Sequence, residues 1–90
     1  MEPVFTEIPA LKRGCRLSIA AESVLLIPEG ALRLHGPGRR ILELCDGKHN
    51  LRDLIRQLQM EYPSAEESKI STEVVTFLRA LQDKGAIEFL

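Results

Sequence analysis

Between residues 16 and 35 the apolar positions fall in short runs with the two-residue period of β-structure. Arg16 to Ile19 alternates polar and apolar, Ser23 to Ile27 is almost wholly apolar, and Ala31 to Leu34 alternates again. Ala20-Ala21-Glu22 and Pro28-Glu29-Gly30 connect these runs, which predicts a three-stranded antiparallel β-meander. His35-Gly36-Pro37-Gly38 then breaks the alternation, and the period becomes helical. Pro37 suits a first helical turn, Ile41, Leu44 and Cys45 share a face, and Asp46-Gly47 ends a short helix near residues 37–45.

Asn50 is a suitable cap for a second helix, in which Leu51, Leu54, Ile55, Leu58 and Tyr62 recur along one face before Pro63 stops it. Ser64 and Glu67 have capping-box spacing for a third helix, with Ile70, Val74, Phe77, Leu78 and Leu81 as its stripe and Gly85 as its C-terminal stop. The last five residues, AIEFL, are compatible with one more short strand. Residues 1–15 hold two prolines and no period, and read as an extended arm, lying on the domain or loose, ahead of a single domain over 16–90. The expected fold class is α+β and winged helix-turn-helix-like, a three-stranded antiparallel β-meander followed by three α-helices.

A chain of 90 residues with 44% apolar and 28% charged positions has the composition of an ordinary globular domain. Its net charge of −1 gives no general attraction to phosphate or to membrane surfaces. There is no signal peptide pattern and no apolar stretch long enough to span a bilayer, so the expected location is cytoplasmic, with no membrane partner. In that compartment Cys15 and Cys45 are read as reduced thiols.

Three helices beside a small sheet also describe a winged-helix DNA-binding regulator, and this stands as the alternative. A helix that reads the major groove needs Arg, Lys, Asn or Gln outward and a basic rim. The third helix instead turns out Lys69, Thr72, Glu73, Thr76, Arg79 and Asp83, a nearly neutral set, and Lys12, Arg13, Arg16, Arg39 and Arg40 read as solvated surface. Cys45 and His49, with Cys15 and His35, share no zinc-site spacing, so no metal is expected. No nucleophile–base pair, glycine-rich phosphate loop or pair of apolar-set carboxylates is present. The residues read as a binding module, with no enzyme activity and no cofactor.

Several stretches carry a family resemblance. PALKRGCRL, VLLIPEGALRL, ILELCDG, the second helix ending in EYP, and EVVTFLRALQDKGAI resemble the pyrroloquinoline quinone biosynthesis protein D (PqqD) family from about Pro9 to Ile87. HGPGRR departs from the family pattern where the first helix begins. The resemblance implies a RiPP recognition element, a peptide-binding chaperone without activity of its own. Such a domain captures the precursor peptide PqqA and presents it to the radical SAM enzyme PqqE, which joins a glutamate and a tyrosine of the peptide. It also implies that the peptide adds as a strand to the third β-strand and packs on the third helix.

The expected peptide-binding residues are Ala31, Leu32, Arg33, Leu34 and His35 on the strand edge, with Ser71, Val75, Leu78, Arg79 and Gln82 on the helix. Val75 lies about 110° from the centre of the helix stripe, which widens the apolar face on that flank. Two readings stay open for Val75 and Leu78: they line a groove, or they pack on a neighbouring strand. An unpaired edge also predicts self-association into a homodimer when no peptide is bound, by edge pairing or by exchange of the hairpin.

Overall fold

The computed structural model describes residues 5–20 and 23–90, so residues 1–4 of the arm and part of the Ala20-Ala21-Glu22 connection lie outside the described residues. The elements run β1 (Pro9–Leu11), β2 (Arg16–Leu17), β3 (Val24–Ile27), β4 (Gly30–Arg33), α1 (Gly38–Glu43), α2 (Leu51–Glu61), α3 (Glu67–Asp83) and β5 (Ile87–Phe89). Strands β2, β3 and β4 form the antiparallel meander in that order, and β1 pairs with β5 in a separate antiparallel ribbon. The α+β, winged-helix-like architecture is therefore the one expected.

The arm contributes to the fold. Ile8 and Leu90 exchange backbone hydrogen bonds of 3.3 and 2.8 Å, and the Lys12 N–H donates to the Ala86 carbonyl at 2.9 Å. Alternation along an antiparallel pair then turns the backbone of residues 9 and 11 away from β5, so Pro9 needs no N–H there. The carbonyls of Glu7 and Phe5 accept from the N–H groups of Leu51 and Arg52 at 2.8 and 3.0 Å, satisfying donors that the first turn of α2 leaves open.

Each helix end has a local cause. Asn50 caps α2 as expected, its side chain accepting from the Asp53 N–H at 2.8 Å. Gly85, at φ +76°, turns the chain out of α3, with the Ala86 N–H donating to the Leu81 carbonyl at 2.9 Å. The capping box at Ser64 does not form. Tyr62 and Ala65 close a turn through a 3.1 Å backbone bond, so α3 starts later, with Glu66 at the cap position and no side-chain cap. Leu25, Leu42, Leu51, Leu54, Leu78 and Ile87 are the largest fully buried side chains, and they join β3, all three helices and β5 in one core.

Candidate functional site

The edge of β4 has no partner strand among the described residues. Its geometry follows from one bond: the Leu34 N–H donates to the Ser23 carbonyl at 2.6 Å. In the register that pairs Val24 with Arg33 and Leu25 with Leu32, hydrogen-bonded pairs alternate with non-bonded ones. Leu32 and Leu34 therefore face β3 with their peptide groups, while Ala31 and Arg33 turn N–H and C=O to the outside. The side chains alternate as well, with Leu34 buried, Leu32 half-buried, and Ala31, Arg33 and His35 exposed. The His35 carbonyl is already used, accepting from the Gly38 N–H at 3.1 Å, so the edge ends there.

Beyond that end lies the flank of α3 that carries Glu73 and Phe77. Together with His35, Pro37, Gly38 and Ile41 they line a hollow of about 160 Å³. A second hollow, about 190 Å³ and almost wholly apolar, continues past Pro37, Ile41 and Glu73 to Leu58, Tyr62, Ala65, Ile70 and Val74. Gly38 lets these parts close up, because a Cβ there would lie 3.2 Å from Phe77 Cζ and 3.4 Å from Leu34 Cβ.

The five expected helix residues are placed differently. Leu78 is 0% exposed, so it packs in the core. Ser71 lines a separate hollow of about 630 Å³ with Phe5, Arg52 and Arg56. At 3.6 residues per turn, Val75 and Gln82 share the flank of Ser71, and Arg79 lies between that flank and solvent. Val75 is half-buried against the core, and Gln82 is exposed. The structure thus brings Glu73 and Phe77 to the end of β4 and sets Ser71 beside α2. Phe77 was read as core from its place on the stripe, and the break HGPG was the one signal of a ring needing room.

The walls of the trough are pinned by charge. Arg40 of α1 grips Glu61 at the end of α2 with bonds of 2.8, 3.0 and 2.7 Å, a bidentate guanidinium–carboxylate pair. Hydrogen bonds from Arg40 and then Gln57 hold the Glu61 carboxyl down at about 2. Arg39 donates to the Ser18 carbonyl at 3.0 Å and joins the start of α1 to the meander. Asp46 is held at about 2 by the Lys48 N–H and then by His49, in the turn before α2. Burial pushes the Cys45 thiol up to about 12, and its Sγ donates to the Ile41 carbonyl at 3.3 Å, so this sulfur behaves as a core group.

A closed core beneath an open strand edge, with a helix flank standing beyond it, defines a small winged-helix-like binding domain. The chain belongs to the coenzyme PQQ synthesis protein D (PqqD) family, which it matches over residues 22–87. It is 40% identical over 83 residues to the PqqA binding protein of Klebsiella pneumoniae (strain 342), covering 88% of each chain. It is 38% identical over 80 residues to the PqqA binding protein of Rhodopseudomonas palustris (strain BisB5), covering 86% of this chain and 78% of the relative. The solution NMR structure of the PqqD truncation of Methylobacterium extorquens PqqCD, a functional and stand-alone RiPP recognition element, matches with a TM-score of 0.78. That likeness spans 94% of this chain and 93% of the other at 27% identity. No helix among the described residues is long and apolar enough to cross a membrane.

Proposed function

We propose that this protein is a peptide-binding chaperone of pyrroloquinoline quinone biosynthesis. It captures the precursor peptide PqqA by strand addition to β4 and presents it to the radical SAM enzyme PqqE in the cytoplasm, with no chemistry of its own. The observation that carries this reading is the unpaired edge of β4, where Ala31 and Arg33 leave N–H and C=O groups for an incoming strand. The names of the relatives supply the peptide. Leu32 and Leu34 hold the strand in place from the core side, while Arg33 and His35 meet the partner's flanking side chains.

Isothermal titration calorimetry with synthetic PqqA tests the proposal directly. One-to-one binding, with the amide resonances of Ala31 and Arg33 shifted, is the expected result. Absence of heat, together with unchanged resonances, sinks it.

A further inference from the structure

The apolar hollow between α1, α2 and α3 opens next to the end of β4 but is not part of the strand edge. It shares Pro37, Ile41 and Glu73 with the hollow at His35, so the two form one trough. An apolar cavity of about 150 Å³ holds a benzene-sized molecule, so a hollow of about 190 Å³ has room for one large side chain. Tyr62 at its rim is 46% exposed, an aromatic face left open to solvent in a chain with few aromatics.

Glu73 identifies the occupant further. Among the described residues it makes no ion pair and no side-chain hydrogen bond, although it borders both hollows and a third one beyond them. That third hollow adds Glu66 and Lys69, which leaves the mouth of the trough with a net negative charge. A cation on the ligand is therefore favoured there.

We propose that a peptide bound on β4 runs on past His35 and seats one bulky apolar side chain in the hollow between α1, α2 and α3, while Glu73 pairs with a basic side chain nearby on the same peptide. This subsite rests on the strand-addition reading, and its occupant is the bound peptide rather than a second protein. The sheet edge selects an extended backbone, and the hollow with Glu73 selects a sequence.

Ala65→Leu fills the hollow from the protein side at a half-buried turn position. The variant is expected to weaken PqqA binding at least tenfold, with circular dichroism and thermal midpoint unchanged. An alanine scan of PqqA should reveal one apolar position whose loss weakens binding to the wild type but not to Ala65→Leu. Glu73→Gln, at an exposed site, should reduce affinity severalfold at low salt and flatten its salt dependence. Should Ala65→Leu lose its fold, Tyr62→Ala opens the rim and is expected to give a comparable loss. If the wild type binds PqqA and Arg33→Pro weakens that binding, yet the hollow variants keep wild-type affinity, the subsite is refuted and strand addition stands. An unchanged salt slope in Glu73→Gln overturns the ion pair, and absence of PqqA binding by the wild type overturns both readings together.

Discussion

Proline at Arg33 separates the proposed peptide-binding edge from the fold. The Arg33 N–H points away from β3, because Leu34 and Leu32 make the bonds to that strand, so Arg33→Pro removes no ladder hydrogen bond. The ring also suits the end of an edge strand, and the exposed side chain it replaces has no core contact. For the peptide the loss is direct. One bond of about 0.5–1.5 kcal/mol disappears, and the peptide carbonyl it satisfied is left unpaired at a further cost of about 1–3 kcal/mol. At about 1.4 kcal/mol per decade, affinity should fall by roughly ten- to a thousandfold. Leu32→Pro is the control: its N–H faces Leu25, so this substitution breaks the meander and should lower the thermal midpoint. Calorimetric titration with PqqA reads affinity, and circular dichroism reads the fold. Wild-type affinity in a folded Arg33→Pro variant would refute strand addition on this edge.

Four further outcomes are expected. The Glu61 carboxyl is depressed from 4.5 to about 2, so the stability it contributes is present above its unfolded value and is lost as pH falls through the folded one. Urea midpoints should therefore drop between these values, and less steeply in Glu61→Gln; an equal slope removes the Arg40–Glu61 clamp as the cause. Leu54→Ala, at a fully buried site, should cost about 2–5 kcal/mol of stability by chemical denaturation, while the folded fraction binds PqqA normally. Gly38→Ala places a Cβ 3.2 Å from Phe77 Cζ, so the ring must move, its proton resonances should shift and PqqA affinity should fall severalfold. Sedimentation velocity should show concentration-dependent association of the free protein that PqqA reverses, and monomer at every concentration would exclude edge pairing between copies.

The elements with strong periodicity were legible in the sequence. Leu51, Leu54, Ile55 and Leu58 mark α2, Asn50 caps it, and Gly85 ends α3, because each of these is a local effect of spacing or backbone conformation. Ser64 misled, since the turn closed by Tyr62 and Ala65 competes with the cap and shifts the start of α3. Strand β1 was hidden: three residues beginning with a proline have no readable period, and only pairing with β5 makes Pro9–Leu11 extended. The open edge of β4 was readable because alternation and the turn at Pro28-Glu29 set its register. The helix flank beyond it was not. Apolar residues border both sides of the α3 stripe, and the side on which the meander lies is a matter of tertiary handedness. The structure sets Ser71 in the hollow beside α2 and Phe77 in the hollow beyond the end of β4.

The sheet has two outer edges, and the difference between them favours β4 as the edge for the proposed strand addition. Strand β2 is two residues long, and the Ser18 N–H bond to the Val24 carbonyl at 2.9 Å places Arg16 in a bonded pair with Leu26. Leu17 alone then faces outward, offering one donor and one acceptor. The β4 edge offers twice that number through Ala31 and Arg33. At about 0.5–1.5 kcal/mol per bond the two extra bonds are worth about 1–3 kcal/mol, or roughly one to two decades of affinity. Hydrogen bonds of this kind accept any extended backbone, so they set orientation without choosing a partner. Choice requires side chains beside the edge, and the trough bordered by Phe77, Glu73 and Tyr62 begins where β4 ends. Arg33, the short strand and the core-facing leucines keep that edge weak toward chance partners, and on the proposed reading the edge and the trough together hold a peptide more firmly than the edge alone.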